Sequence, residues 1–553
     1  MAIILRLFYW QVIRKDELTI KAEGQRFENV ETGATRGDIF FSDNFLLAAS
    51  KPTFLLYGLP KVLNQEQKVT LALKIAKLSP QEEQEEIKKN ILDQLSKDLY
   101  WVPLKRDLDI TLKKEIENLK LPGIGFESSS ERFYPEGSSS AHLLGFVGSD
   151  SRGESTGYFG IEGYYNGELK GVMGRIRQEK DALGLPILIG RILGNNPKNG
   201  KNLVLNIDRS VQYTIEKALQ EGQERYGAKA ASAVVMDPKT GAILGLAAYP
   251  NYDPYSYEKF PKEFYKNPIV ADSYEPGSTF KVLVVAAALN EALIKPDTKC
   301  DMCEGSVNLG GFTIRTWNNK YYPDSTMSDV IIHSDNTGMV FVGQKLGLDK
   351  FYSYLENFGF GSLTDIDLQD ESSPELRPKK DWREIDLATA SFGQGIAVTP
   401  IEMITAISSI ANWGNLMEPH IVSEIKDENS SFEIKPKIIR QVVSREAAKT
   451  VTEMMVKAVD EGEAQFYKKK AGLENFKIAG KTGTAQIPVA GHYDPNKTIA
   501  SFVGFAPADN PKFVILVRYD QPSASIFGAE TAAPTFFSIA KSLFTYYKIA
   551  PNE

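Results

Sequence analysis

Histidine and cysteine are scarce in this chain, with four and two among 553 residues. The histidines, His142, His333, His420 and His492, form no ligand pair, and the cysteines, Cys300 and Cys303 in "KCDMCEG", stand alone. That excludes a disulfide scaffold and leaves a zinc site without its second pair of ligands. The cysteines are read as two unpaired thiols in a turn, with a redox pair or a small loop disulfide as alternatives. No basic block is present and the formal net charge is −7, which argues against nucleic acid as a partner. A long apolar run is also missing. The best is the N-terminal Ala2 to Ile13, broken by Arg6 and Gln11. It has about half of the ~20 residues needed to cross a bilayer, and no small-residue cleavage site follows it. It reads as a buried helix, an interfacial helix, or the tail of a longer membrane segment.

What is present is ordinary globular material: 42% hydrophobic and 24% charged residues, in a chain long enough for two or more domains. Charged helical stretches such as "SPQEEQEEIKKNILDQLSKDL" are followed by a glycine-rich part with many aromatics, read as short strands and tight turns. "GNNPKNGKN", residues 194–202, is the best linker. After it come a strand, "LVLNI", a helix opened by Asp208, and "ASAVVMDPKTGAILGLAAYP", which reads as two buried strands joined at Asp237–Gly241. A second strand pair, "TIASFVGFAPADNPKFVILVRYD", turns at residues 509–511. Helical patterns fill the middle. The economical architecture is a sheet made from early and late segments and flanked by helices.

Within "SYEPGSTFKVLVVAAALNEAL", Ser278 and Lys281 lie three positions apart, just before the apolar run Val282 to Leu289. Glu275-Pro276-Gly277 reverses the chain, so Ser278 is expected at a helix start, with Lys281 one turn along the same face. A plain helix-capping serine is the alternative. Lys281 serves as a base only if burial and a neighbouring cation keep its amine neutral for part of a cycle. "IIHSDNTGMVF" places Ser334 and Asn336 in a tight interhelical connection, where a hydroxyl can relay a proton and an amide can hold a peptide carbonyl. "FKIAGKTGTAQIP", read as a strand, contributes the positive charge of Lys481 and the hydroxyls of Thr482 and Thr484 for a carboxylate. Its Gly483 is expected to let a substrate backbone lie close.

Each pattern has a second copy: Ser256 with Lys259, Ser42-Asp43-Asn44, and Lys239-Thr240-Gly241. The copies run in another order, and the spare Lys-Thr-Gly sits in a hairpin turn. The ordered set Ser278, Ser334 and Lys481 resembles the signature of penicillin-binding proteins and serine β-lactamases. Further segments extend the resemblance over nearly the whole chain. "RLFYWQVI" looks like the exit of a membrane anchor; "RGDIF", "ERFYPEGSSSAHLLGFVG" and "GIEGYYNGELKG" look like the pedestal of class B penicillin-binding proteins. "EPGSTFKV", "SFGQGIAVTPIEM", "GKTGTAQIP" and "ASFVGFAPADNP" look like the transpeptidase domain, of the septal, cell-division type.

The resemblance implies an α+β fold with a mainly antiparallel catalytic sheet flanked by helices. It divides the chain into an anchor remnant (1–13), an elongated pedestal (14–199) and a transpeptidase domain (200–553). It implies a D,D-transpeptidase that cross-links peptidoglycan stem peptides through a serine acyl-enzyme and is blocked by β-lactams. The site would be Ser278, Lys281, Ser334, Asn336 and Lys481, with Thr482, Gly483 and Thr484 binding substrate and no metal or cofactor. Membrane glycosyltransferase and division proteins are the implied partners, with the catalytic domain outside the membrane and a single N-terminal anchor whose missing part would precede Met1. A β-lactamase or β-lactam sensor would share the three motifs without needing the pedestal. A non-catalytic division scaffold would leave buried Lys and Ser groups unused.

Overall fold

The structure is a computed structural model; it describes residues 1–151, 153–179, 193–489 and 492–552. The chain forms two compact units, neither continuous in sequence. The first comprises residues 1–38, 48–134 and 167–202; the second, 39–47, 135–166 and 203–553.

In the first unit, β1 (Leu46–Gly58, of which all but the first two residues belong here) is followed by α1 (Gln65–Ala76), α2 (Gln84–Leu95), β2 (Val102–Leu108), α3 (Ile110–Asn118) and β3 (Ile124–Phe133). β1 pairs antiparallel with β2 and with β3, Gly58 opposing both Val102 and Ile124. Leu71 and Ile75 of α1 and Ile91 and Leu95 of α2 close one core with Leu56, Val102, Leu108 and Ile116. The start of α1 is set by a reciprocal cap between Asn64 and Gln67. The N-terminal residues Ala2–Phe8 are helical, yet Ile3, Ile4 and Leu5 are exposed, so the buried-helix reading is corrected. No helix among the described residues is long and apolar enough to cross a membrane.

The second unit is built on an antiparallel five-stranded sheet. Its elements are α4 (Arg209–Tyr226), β4 (Ala230–Met236), β5 (Ile243–Tyr249), α5 (Lys281–Asn290), α6 (Met327–Ile332), α7 (Asn336–Asn357), α8 (Pro400–Ala411), α9 (Arg445–Asp460), β6 (Ala479–Val489), β7 (His492–Ala506), β8 (Phe513–Asp520) and α10 (Ala532–Tyr546). The strand order is β5-β4-β8-β7-β6, joining early strands to late ones. Asp208 accepts from the backbone of Ser210 and Val211 and so opens α4, as its position in the sequence implied.

Residues 513–519 of β8 are all buried, because both faces of the sheet are covered. On one face Val211, Ile215 and Leu219 of α4 and Phe536, Phe537 and Leu543 of α10 pack with Val235, Phe502, Ile515 and Val517. On the other lies α8, whose twelve residues are all buried and whose Ser408 touches Met236. Residues 39–47 join this unit by pairing Ile39 and Phe40 with Leu203 and Val204. Residues 135–166 join through aromatic packing of Phe146 on Tyr257 and the Tyr165 hydroxyl on Asp367. The glycine-rich part therefore holds a short hairpin, residues 146–149 with 155–158, and also short helices where strands alone were expected.

Cys300 and Cys303 form a disulfide, which corrects the reading of two thiols. The turn in which Cys303 N–H donates to the Cys300 carbonyl brings their Cα atoms to 5.5 Å, within disulfide reach.

Candidate active site

The segment before Ser278 is tied down by its backbone. Tyr274 exchanges two hydrogen bonds of 2.9 Å with Val398, and Gly277 N–H donates to the Gly393 carbonyl at 3.0 Å. Gly277 has φ +55°, and a β-carbon there would lie 3.1 Å from the Thr484 carbonyl, so glycine allows the tight turn onto β6. A single 3₁₀ turn, Gly277–Thr279, then leads directly into α5 at Lys281. Ser278 is thus not the capping residue of α5, which corrects that alternative: Phe280 holds the cap position, with no side-chain bond. Ser278 is half-buried, and no hydrogen bond engages its hydroxyl among the described residues.

Lys281 is fully buried. Its amino group donates to the Ser334 carbonyl (2.7 Å), to Asn336 Oδ1 (2.8 Å) and, more weakly, to Ser334 Oγ (3.4 Å). Lys481, only 3% exposed, donates to the same Ser334 Oγ at 3.0 Å. Two buried lysines therefore share one hydroxyl. Burial pushes the Lys281 pKa well below the usual lysine value and the Lys481 charge pushes it further, against the pull of Asp335 and Glu463. Burial lowers Lys481 to about 8, opposed by Glu463. The neighbouring cation that Lys281 needed is Lys481.

Ser334 reaches this point because the connection between α6 and α7 is as short as the sequence suggested. Ser334 itself takes φ +55°, a costly conformation for a residue with a β-carbon, of about 1–3 kcal/mol. Asp335 offsets it by capping α7, accepting from the backbone of Thr337 and Gly338. Asn336 is oriented by donating its amide to the Arg315 carbonyl at 3.0 Å.

Among the described residues β6 is the edge strand of the sheet, with no ladder partner on one side of its backbone. Gly483 also has a packing role. A β-carbon there would meet Ser501 Oγ at 2.4 Å, Thr279 Cγ2 at 2.8 Å and the Pro276 carbonyl at 3.1 Å, so its smallness lets β6 pack against the Ser278 turn. Thr482 Oγ1 accepts from Lys481 (3.1 Å) and donates to Glu463 Oε2 (3.3 Å). Thr484 Oγ1 accepts from Gly528 N–H (3.1 Å), and among the described residues its own hydrogen has no protein acceptor.

The structure thus brings Lys281, Ser334, Asn336, Lys481 and Thr482 into one hydrogen-bonded cluster, with the turns and β6 setting Ser278 and Thr484 beside it. The second copies serve structure instead. Lys239 reaches Asn510, Thr240 donates to Asp237, and Ser256 donates to Asp253. Asn44 stands at φ +61° in a turn. Sequence reasoning assigned nothing to Glu463, which carries no motif, nor to Glu275, which accepts from Gly395 N–H (3.0 Å) and the Tyr493 hydroxyl (3.1 Å). A signal for Glu275 lay in its place three residues before Ser278. Among the described residues no group of His, Cys, Asp and Glu is disposed to hold a metal.

This geometry is that of a serine acyl-transfer site on an antiparallel sheet, and the comparisons with known proteins agree. The family model for the penicillin-binding protein transpeptidase domain matches residues 231–541, and that for the penicillin-binding protein dimerisation domain matches residues 31–205. The chain belongs to the class B penicillin-binding proteins. It is 33% identical to stage V sporulation protein D of Bacillus subtilis, over 99% of this chain and 84% of that protein. It is 29% identical to the peptidoglycan D,D-transpeptidase FtsI of Escherichia coli K12, over 99% and 90%. Among solved structures, penicillin-binding protein 3 of Mycobacterium tuberculosis with aztreonam matches at a TM-score of 0.72 and 25% identity, covering 95% of this chain and 98% of that one.

Proposed function

We propose that this chain is a serine-type peptidoglycan D,D-transpeptidase that β-lactams acylate. The observation that carries the reading is the single hydroxyl of Ser334 shared by two buried lysines of lowered pKa, beside an uncommitted Ser278. The names of its relatives support the same activity.

In the first step Ser278 Oγ attacks the carbonyl carbon of the penultimate D-alanine, and neutral Lys281 takes the hydroxyl proton. The backbone N–H groups of Ser278 and Thr484 hold the oxyanion, each worth roughly 10²–10³ in rate. As the C–N bond breaks, Ser334 passes a proton to the departing D-alanine and recovers one from Lys281. The second step reverses the roles: a neighbouring stem-peptide amine attacks the ester, gives up its proton through the same relay, and releases Ser278. Lys481 supplies the charge for the substrate carboxylate. Between the two hydroxyls, hydrogen bookkeeping favours Thr484, since the Thr482 hydrogen is directed to Glu463. Asn336 holds a substrate amide.

On this reading residues 200–553 carry the chemistry and residues 14–199 act as the pedestal. The substrate places the catalytic unit outside the cytoplasmic membrane, and the Cys300–Cys303 disulfide suits an oxidising compartment. The likeness to FtsI, over 99% of this chain and 90% of that protein, supports a cell-division role, with glycan polymerisation left to a membrane partner.

The test is intact-mass analysis after incubation with a penicillin, followed by peptide mapping. One long-lived adduct on Ser278, absent from Ser278→Ala, is expected, together with cross-linked product from paired stem peptides. Rapid loss of the adduct by hydrolysis would instead mark a β-lactamase, and an unlabelled wild type would remove the acyl-enzyme altogether.

A further inference from the structure

Glu463 lies outside the three motifs, yet its carboxylate is held at the site. It stands in the short connection after α9. Gly462 precedes it, packed so closely that a β-carbon there would lie 2.3 Å from the Ala458 carbonyl and 2.9 Å from that of Ile332, two residues before Ser334. Ala464 follows it, 1% exposed. The next helix, residues 465–470, is fastened back by Lys468, which is buried and donates to Asp460 at 2.5 Å. The backbone of Glu463 is therefore anchored on both sides, against the end of α6, two residues before Ser334. Its side chain is exposed, and Oε2 accepts from the Thr482 hydroxyl at 3.3 Å. That hydroxyl has one hydrogen. Committing it to Glu463 turns the oxygen's lone pairs to Lys481 Nζ, 3.1 Å away, whose remaining side-chain partner is Ser334 Oγ.

We propose that Glu463 is a positioning residue of the acylation reaction, acting through the Thr482 hydroxyl to hold the Lys481 ammonium on Ser334. This rests on the transpeptidase reading above. A bystander carboxylate on the rim would be free to rotate into solvent. This one closes a chain Glu463–Thr482–Lys481–Ser334 whose far end is the proton relay.

The charges facing the relay are Lys281 from α5, Asp335 from the α6–α7 connection, Lys481 from β6 and Glu463 itself. Glu463 favours the charged form of both lysines. Replacing it by a neutral group lets both lose their protons at lower pH. The acidic limb of the rate profile, where Lys281 must become neutral, and the alkaline limb, where Lys481 must stay charged, then move together toward acid. A residue with a merely structural part would change the height of the profile without moving its limbs.

The experiment measures the second-order rate of acylation of the full chain by a fluorescent penicillin from pH 5 to pH 10, for wild type, Glu463→Gln and Glu463→Asp, with thermal melting to confirm folding. The expected result for Glu463→Gln is a shift of both limbs to lower pH and a maximum lowered by a factor of a few. Glu463→Asp should return the limbs toward their wild-type positions. Limbs that stay in place in a folded Glu463→Gln, at whatever height, overturn the proposal. So does a shift of one limb alone. A wild type that is not acylated at any pH would refute the transpeptidase reading instead, which keeps the two failures apart.

Discussion

The chain contains Lys-Thr-Gly twice, and the two copies have opposite fates. Lys239–Gly241 forms the turn between β4 and β5: Gly241 stands at φ +83°, Thr240 donates to Asp237, and Lys239 reaches Asn510 on the surface. Lys481–Gly483 lies inside edge strand β6, where Lys481 is buried on Ser334 and Thr482 meets Glu463. In the first copy glycine is needed for its backbone conformation. In the second it is needed for its lack of a side chain, because the strand must press against the Ser278 turn. The same three residues are turn chemistry in one place and an electrostatic device in the other. The difference is made by what packs on them.

The largest expected contrast comes from removing each lysine. Lys481→Ala should lower the acylation rate by roughly 10²–10³-fold, as for loss of a preorganised electrostatic group. Lys239→Ala should leave that rate alone and change stability by no more than about 0.5 kcal/mol. Stopped-flow labelling and denaturant melts on both variants decide it, and equal rate losses would place the site wrongly.

The two threonines beside Lys481 sharpen the comparison. Thr484→Val should slow acylation by about 10–100-fold, the worth of one hydrogen bond to a charged group. That loss should vanish with a β-lactam whose carboxylate is esterified. A loss that persists with the ester would mean that Thr484 does not hold the carboxylate.

Next in size is the glycine contrast. Gly241→Ala forces a β-carbon to 2.3 Å from the Glu418 carbonyl at positive φ. A cost of about 1–3 kcal/mol is expected from the backbone strain, with the acylation rate kept in the folded fraction. Gly483→Ala should lower the rate as well, since it displaces the Ser278 turn; calorimetry beside labelling separates the two effects.

The last effect is on stability alone. The folded pKa of Lys481 is about 8 against an ordinary value of 10.5, so the folded chain binds fewer protons than the unfolded chain between them. Its contribution to stability is a constant penalty below pH 8 and improves as pH rises through that window. Lys481→Met should therefore be more stable than wild type at pH 7, with the gap narrowing above pH 8. Melts at both pH values read it directly, and a gap that widens with pH would reverse the sign of the argument.

Much of this was legible in the one-dimensional chain. The ordered motifs at Ser278, Ser334 and Lys481 carried the resemblance to the penicillin-binding proteins, and turn residues such as Asp237–Gly241 and 509–511 delimited the strands around them. Those features are local: a hydroxyl before an apolar helical run, an interhelical turn, or an Asn-Pro turn is specified by residues a few positions apart. The cysteine pair was misread for the complementary reason, since a disulfide depends on the turn geometry that brings two Cα atoms within reach.

What only the tertiary structure decided is who faces whom. Residues 39–47 and 135–166 belong with the late part of the chain because Ile39 pairs with Leu203 and Phe146 stacks on Tyr257. Burial lowers the Lys281 pKa and the Lys481 charge lowers it further, although 200 positions separate the two (481 − 281). Gly483 guards a packing contact with Thr279, and Glu463 enters the site with no motif to announce it. Propensity and turn chemistry act over a few residues and can be read along the chain. The pKa of a buried lysine is set by desolvation and by charges a few ångströms away, which exist only once distant segments have packed together.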